Sequence, residues 1–349
     1  MEGHRRAGSE TGQRTGWRRY RAGMAERRIV TVTLNPAVDR VLEAPNFAVG
    51  SHIRGRRVAL YPAGKGVNAS RVLAILGVRS IATGFIGRGE LAMFEEHLEE
   101  VGAGRVVCQL LVVRGRTRDN VTIVDPVNDT ETHIREDGFE IQSEDVGRIA
   151  SKLALLAREE AIMVFAGSLP PGVSSSAFAH LIERCAERGA DVVVDTSLAG
   201  LDELHDQGAW LMKLNREELA AMADAPTQTE EEVIAAASSL TRRSQGRVRH
   251  VVATMGADGA VLLGESIAYR ARVGVHPGRI VSTVGCGDCL VAGLLAGWIR
   301  TGDWKAALLE GVAVATAGAV RREAGFIDPE DAAEFRHVAV VEPIEPPAP

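Results

Sequence analysis

The sequence predicts an α/β fold: a mainly parallel central sheet flanked by helices, with a small β-sheet lid. Three observations lead there. Apolar, β-branched runs such as Ile29-Val-Thr-Val-Thr-Leu34, Ala161-Ile-Met-Val-Phe165 and His250-Val-Val-Ala-Thr254 alternate with helical stretches of about 10 to 15 residues, the rhythm of βαβ units. Their near-continuous apolar character suits strands covered on both faces. Two stretches, roughly 41–61 and 105–136, break the rhythm with short β-type runs and no intervening helix, which suits a separate small sheet.

With 349 residues and 46% hydrophobic content, the chain can bury a substantial core. No apolar run approaches the roughly 20 residues that cross a bilayer, and the N-terminus lacks the apolar segment of a secretory signal. The expectation is a cytoplasmic protein without a membrane partner. Residues 1–28 carry eight arginines against Glu2, Glu10 and Glu26, a local +5 that leaves −11 on the rest of a chain with net charge −6. So acidic a body argues against a nucleic-acid partner. Residues 1–28 are expected to be a disordered basic extension, with Met24 as an alternative start. Residues 29–335 are the expected folded domain, and 336–349 a C-terminal tail whose proline-rich end is disordered. Cys108, Cys185, Cys286 and Cys289 are too few for a disulfide framework. Cys286-Gly-Asp-Cys289 does match C-x-x-C at a helix start, so a thiol switch stands beside the simpler reading of small side chains filling a turn.

Taken in order, Ile29 to Leu34 is the first strand, and Pro36 stops its ladder. Asp39 is then displayed near the carboxyl edge, where parallel sheets bind ligands. It either binds sugar hydroxyls or, with Asn35, forms a turn. Ala63-Gly64-Lys65-Gly66-Val67-Asn68 opens a helix over 66–76, packed through Val67, Val72, Leu73, Ile75 and Leu76. The segment lacks the full phosphate-loop pattern, so Lys65 is read as binding substrate rather than nucleotide, and Asn68 as bonding a hydroxyl or phosphate oxygen. A strand at Ile81–Phe85 and a helix near 91–101 follow. Asp119–Val124 and Thr130–Arg135 form a hairpin around Asp125-Pro-Val-Asn-Asp129, either a lid that excludes water or an edge decoration. Arg116 and Arg118 lie beside it, a fork for a phosphate dianion or a solvated pair.

The strand Ala161–Phe165 leads to Gly167-Ser168-Leu-Pro-Pro-Gly172, whose hydroxyl and amides point to the same edge. A helix near 175–188 and strands at Asp191–Val194 and Trp210–Lys213 come next. In Lys213-Leu-Asn215-Arg-Glu-Glu218, Asn215 and Glu218 either hold water around Mg2+, a hard ion that prefers oxygen, or Asn215 simply caps a helix. His250–Thr254 runs into Met255-Gly256-Ala-Asp-Gly259, a glycine turn suited to close approach of a nucleotide. Thr283-Val-Gly285-Cys286-Gly287-Asp288 then precedes Leu290, Val291, Leu294, Leu295, Trp298 and Ile299 at helical spacing. Unpaired amides at a helix start attract anions. A carboxylate there repels phosphate, so Asp288 is useful only if it faces the attacking group as a general base; an ordinary first-turn acid is the plainer reading.

In order and spacing these segments resemble the ribokinase-like sugar kinases, the PfkB family, across about residues 29–330. L-N-P-A-x-D at 34–39, T-R-x-N at 117–120 and G-S-L-P at 167–170 are similar to its phosphosugar branch. The longer G-R-T-R-x-N at 115–120 tilts the choice toward fructose 1-phosphate over tagatose 6-phosphate or fructose 6-phosphate. The resemblance implies ATP-dependent transfer to a phosphohexose hydroxyl with Mg2+, Asp288 as base and the amides of Gly285, Cys286 and Gly287 as an anion hole. It assigns Asp39, Gly64, Lys65, Asn68, Arg118 and Ser168 to the sugar phosphate. Lys213, Asn215, Glu218, Thr254, Gly256 and Gly259 go to ATP, and a homodimer through the lid is implied. The chain departs from the family pattern at Ala63 and Met255, which replace glycine and leucine, at Leu214, which replaces proline, and at Cys286 and Cys289, where Ala or Ser is usual. A catalytically silent sugar-phosphate sensor is the rival reading, disfavoured by the retained Asp288, Lys65 and N-x-x-E.

Overall fold

β-Branched residues favour extended backbone and pack well on a pleated surface, and they fill the middle of the large sheet. In the computed structural model, which describes residues 27–196 and 208–345, β1 (Arg28–Thr33) lies between β4 (Ser80–Gly87) and β8 (Ala161–Ala166), parallel to both. β5 (Val106–Val113) continues beyond β4. On the other side follow β9 (Asp191–Asp195), β10 (Leu211–Asn215) and β11 (His250–Thr254), all parallel. An antiparallel edge of β12 (Ala260–Gly264), β13 (Ala268–Val273) and β14 (Ala339–Pro343) completes ten strands in the order β14-β13-β12-β11-β10-β9-β8-β1-β4-β5.

Side chains alternate across a strand, so this sheet has two buried faces. Val30, Val32, Met163 and Phe165 pack against α3 (Ser143–Leu156), α4 (Ser175–Glu187) and α6 (Glu230–Arg243) through Ile149, Leu153, Phe178, Ile182, Val233 and Leu240. Ile29, Ile162 and Val164 face α1 (Lys65–Ile75), α7 (Cys286–Thr301), α8 (Trp304–Ala319) and α9 (Pro329–Val338). α2 (Leu91–Gly102) packs near the β5 edge through Phe94 and Leu98, and α5 (Arg216–Ala223) follows β10. A second sheet of β2 (Ala37–Glu43), β3 (Arg56–Ala63), β6 (Arg118–Asp125) and β7 (Thr130–Arg135) has the order β3-β2-β6-β7. Its register sets Tyr61, Asp39, Asn120 and Arg135 in one row across all four strands.

The structure moves several boundaries. Only the part of 105–136 from Arg118 onward joins the small sheet. Val106–Val113 follows a helix and pairs parallel with β4, so it belongs to the central sheet. The first strand of the small sheet starts at Ala37 rather than 41, because the chain resumes extended backbone directly after Pro36. Asp39 therefore lies within a strand, not in a turn. The folded body also continues past 335: α9 runs to Val338, and β14 closes the sheet edge with Val341 buried. Five residues with one buried side chain gave too little periodicity to be seen. Of the basic extension and the proline-rich end, residues 1–26, Met24 among them, and 346–349 lie outside the described residues. Arg27 forms an ion pair with Asp191, and Arg28 opens β1. Among the described residues no helix is long and apolar enough to cross a membrane.

The closing strand is testable. Ending the chain at Val338 removes the ladder partner of β13 and re-exposes the surface that Val341 covers. Urea unfolding should show a loss of about 1.5–3 kcal/mol, the value of burying one such side chain. An unchanged midpoint would mean that β14 contributes nothing.

Candidate active site

The site gathers at the carboxyl ends of the parallel strands, beneath the row of polar residues on the small sheet. α7 begins at Gly285, whose φ of 80° is left-handed. A Cβ at Gly285 would lie 2.7 Å from the Gly325 nitrogen and 3.0 Å from Ala324 Cβ, so only glycine fits this turn. One turn in, Asp288 is 5% exposed and its Oδ2 accepts a 2.8 Å hydrogen bond from Asn68 Nδ2. Burial, and then the negative charge of Asp195, push the Asp288 pKa up to about 7. Lys65, the Asn68 hydrogen bond and Lys213 work in the opposite direction. The amides of Gly285 and Gly287 have no acceptor among the described residues, whereas that of Cys286 turns back to the Thr283 carbonyl at 3.3 Å.

Beneath Asp288 lies a charge cluster that sequence reasoning missed. Asp195, at the end of β9 and 1% exposed, accepts from Lys65 Nζ at 2.9 Å and Lys213 Nζ at 3.0 Å on the same oxygen, Oδ1. Burial disfavours its charge, yet the two lysines hold its pKa below the ordinary carboxylate value. Burial likewise opposes the charge of Lys65, and Asp195 and Asp288 overcome it, leaving that pKa raised. Lys213 Nζ would lie 2.8 Å from a Cβ on Gly287, which seats the lysine under the first turn of α7. The available signal for Asp195 was its place at the carboxyl end of a strand, one residue beyond the predicted segment.

Of the residues expected to hold the sugar phosphate, the structure brings Arg118 and Ser168 together with Asn35. Arg118 Nη2 donates to Ser168 Oγ at 3.4 Å and to the Asn35 carbonyl at 3.2 Å, and Asn35 Nδ2 donates to Ser168 Oγ at 3.4 Å. Asp39 accepts from Asn120 Nδ2 at 2.8 Å. Burial raises its pKa against that hydrogen bond and the charges of Arg118, Arg135 and Arg71. Asp39, Tyr61, Asn120 and Arg135 line a groove of about 80 Å³ with Ser282, Val284 and Ala324, which joins the small sheet to the approach of α7. Gly64 is the residue before α1, with φ 132°. Buried side-chain atoms without a hydrogen-bond partner among the described residues include Asn35 Oδ1, Asn68 Oδ1, Asn120 Oδ1 and Arg118 Nε, all in this region. Such atoms are costly unless something polar meets them.

The residues expected to bind the nucleotide are more dispersed. Asn215 and Glu218 form a reciprocal capping box at the start of α5, with both bonds at 2.8 Å. That engages Asn215 Oδ1 and Glu218 Oε2 and leaves Glu218 Oε1 uncommitted; the charge of Glu218 still reaches Lys65. Thr254 Oγ1 donates to the Leu214 carbonyl at 3.4 Å, at the adjoining strand end. Gly256 and Gly259 shape the β11–β12 turn, where a Cβ at Gly259 would strike the Ala271 carbonyl. Among the described residues no cluster of three or more His, Cys, Asp or Glu could bind a metal directly. A wider cavity of about 1530 Å³ lies at the amino ends of the strands, lined by Arg28, Arg79, Arg105 and Arg158, and holds none of the predicted site residues.

The pattern of the pfkB family carbohydrate kinases matches residues 29–332. The chain belongs to that family. It is a carbohydrate kinase, a phosphotransferase with an alcohol group as acceptor, and its two-sheet α/β architecture is ribokinase-like. It is 34% identical over 306 residues to the 1-phosphofructokinase of Escherichia coli K12, covering 86% of this chain and 94% of that one. Against the 1-phosphofructokinase of Bacillus subtilis the identity is 33% over 297 residues, 85% and 94% of the two chains. A crystal structure of a putative phosphofructokinase from Staphylococcus aureus superposes with a TM-score of 0.76 at 26% identity, covering 91% of this chain and all of that one.

The two cysteines of this carbohydrate kinase that flank Asp288 point to packing rather than redox chemistry. Burial, then Asp288, pushes the Cys286 thiol up to about 11, and burial raises Cys289 well above its ordinary value. Cys289 Sγ packs against Gly318 of α8. Since the thiolate is the nucleophile, iodoacetamide at pH 7.5 should leave Cys289 unmodified and label Cys286 slowly in the native kinase, as read by mass spectrometry. Rapid labelling of both would overturn this assignment.

Proposed function

We propose that this kinase transfers the γ-phosphoryl group of ATP to a hydroxyl of fructose 1-phosphate, giving fructose 1,6-bisphosphate, with Asp288 as general base. The observation that carries this reading is the Asp288 carboxyl, buried at the first turn of α7 and held by Asn68, where burial pushes its pKa up to about 7. Such a base takes a proton from a sugar hydroxyl without being permanently protonated at neutral pH. The hydroxyl proton passes to Asp288, the hydroxyl oxygen bonds to phosphorus, and the bond to ADP breaks. The amides of Gly285 and Gly287, with the positive end of α7, counter the negative charge of the transferring group; Cys286 adds its amide if its turn bond yields.

Asp39 and Asn120 would bind sugar hydroxyls from the small sheet, while Arg118, Ser168, Gly64, Lys65 and Asn68 would hold the sugar phosphate and orient it. Lys213, Asn215, Glu218, Thr254, Gly256 and Gly259 would form the ATP side. The residues fit a metal held through water, because Glu218 keeps one free carboxylate oxygen and the capping box fixes its direction. When bound, Mg2+ supplies charge neutralisation on the phosphates. The relatives' names and the G-R-T-R-x-N segment support fructose 1-phosphate. Tagatose 6-phosphate and fructose 6-phosphate are the alternatives within the family. The homodimer belongs to this proposal: Leu60 and Ile134, 38% and 52% exposed, share the outer face of the small sheet. So does a cytoplasmic location.

Asp288→Asn should lower kcat by about 10² to 10⁴ while KM for ATP and sugar phosphate stays within a few-fold; near-normal turnover removes Asp288 as the base. A coupled assay of ADP release across the three phosphohexoses should give the highest kcat/KM with fructose 1-phosphate. Release with none of them would favour a silent sensor. In the native kinase the base must be ionised, so kcat/KM, which reports the free enzyme, should fall as pH drops through about 7. A flat profile from pH 8 to pH 5.5 contradicts the assignment.

A further inference from the structure

Arg71 heads the largest fully buried side chains, only 1% exposed, and beyond the pull of its charge on Asp39 the chemistry above gives it no role. It lies on α1, three residues after Asn68, on the adjoining part of the helix surface. Its Nη2 donates to Glu323, its Nη1 donates to the Ala324 carbonyl at 3.4 Å, and its guanidinium carbon sits 5.9 Å from the centre of the Tyr61 ring. Its Nε has no partner among the described residues. A buried guanidinium is costly, and an apolar side chain of similar volume would fill the space at no such cost. Packing alone therefore does not account for an arginine here.

The segment it grips lies between two parts of the site. A Cβ on Gly325 would fall 2.4 Å from Asn68 Cβ, and a Cβ on Gly285 would fall 2.7 Å from the Gly325 nitrogen. Residues 323–325 thus form a thin spacer between α1, which carries Asn68, and the turn that starts α7, which carries Asp288. The spacer has no secondary structure of its own to fix it. Its anchors are the two donations from Arg71, the contacts of the Tyr61 hydroxyl and the Cys289 thiol with the backbone of Ala324 and Gly325, and close backbone packing.

We infer that Arg71 is a positioning residue: by holding Glu323 and Ala324 it seats Gly325 between Asn68 and Gly285, and so sets the 2.8 Å contact between Asn68 and Asp288. The inference rests on the assignment of Asp288 as base. Glu323, 39% exposed, is the replaceable end of the device. Asp195, Lys65, Lys213, Asn68 and the thiols of Cys286 and Cys289 are the groups that face Asp288, and none of these side chains is replaced by a change at Arg71 or Glu323. What changes is the quality of the Asn68 hydrogen bond, which favours the charged carboxylate.

The test is the pH dependence of kcat, at saturating ATP and fructose 1-phosphate, for Arg71→Met, Arg71→Lys and Glu323→Gln. Misplacement on the ångström scale costs up to about 10²-fold. Arg71→Met should approach that loss in kcat with KM values within a few-fold, and its acid limb should move to higher pH as the Asn68 bond weakens. Arg71→Lys, which keeps the charge and loses the fork, should recover part of both effects. Glu323→Gln, at a half-exposed position, should show the same pair of changes in smaller measure, and it decides the matter if Arg71→Met does not fold. A purely structural role predicts a lower melting temperature with an unmoved acid limb. That result in Glu323→Gln and in any Arg71 variant that folds overturns the inference. Failure of the base assignment is separate: it shows as near-normal turnover of Asp288→Asn, whatever Arg71 does.

Discussion

A single buried carboxylate oxygen, Oδ1 of Asp195, organises the charges of the site. It receives both Lys65 and Lys213, from residues 130 and 18 positions away in the chain. Removing an isolated charge from water costs several kcal/mol even after relaxation, so two lysines at this depth need a counter-charge. Asp195 supplies it, and in doing so ties α1, β9 and β10 together at the strand ends. The arrangement also explains why Asp288 does not behave as a simple salt-bridge partner. The lysines are largely committed to Asp195, and Asp195 itself repels a second negative charge. With its own burial as the largest cause and Asp195 second, Asp288 is stabilised as an anion only in part, and its affinity for a proton is raised to near neutrality.

That balance depends on the order of the two buried faces beneath it. β1 sends Ile29 to one helical layer and Val30 and Val32 to the other, and the same alternation in β8 fixes the height of both layers. α1 and α7 lie in the same layer, so their N-termini open onto one strand edge. The small sheet reaches the site differently. Pro36 ends β1, and after one turn the chain becomes β2, which carries Asp39 in register with Tyr61 and Asn120. Two sheets that share almost no ladder thus contribute to one cleft through a connection only three residues long.

The central strands were legible because their β-branched runs are long and apolar, a signal that survives without tertiary context. The limits of the small sheet were not. Val106–Val113 and Arg118–Asp125 are both short extended runs, and only the helix before the first and the hairpin after the second distinguish a parallel core strand from a lid strand. The glycine turn was legible as well: the positions of Gly285 and Asp288 at a helix start followed from the turn and the apolar helix after it. Asp195 was not, since its role exists only through lysines distant in sequence. Asn215 and Glu218 show a third case. A capping box and a water-mediated metal site call for the same residues at the same spacing; the structure shows the capping box, with Glu218 Oε2 engaged in it.

The unpartnered atoms give the site its energetic character. A buried polar atom without a partner costs about 1–3 kcal/mol, and domain stabilities are only about 5–15 kcal/mol. Asn35, Asn68, Asn120 and Arg118 each carry one, and their companion atoms are held by hydrogen bonds to Asp137, Asp288, Asp39 and Glu136 respectively. The amides and the guanidinium are therefore fixed in direction before any ligand arrives. A hydroxyl-rich, phosphate-bearing ligand that meets those atoms finds donors and acceptors already aimed, without ordering the side chains first. Ligand affinity and fold stability draw on the same atoms, which is why the site can be polar only above two large apolar layers.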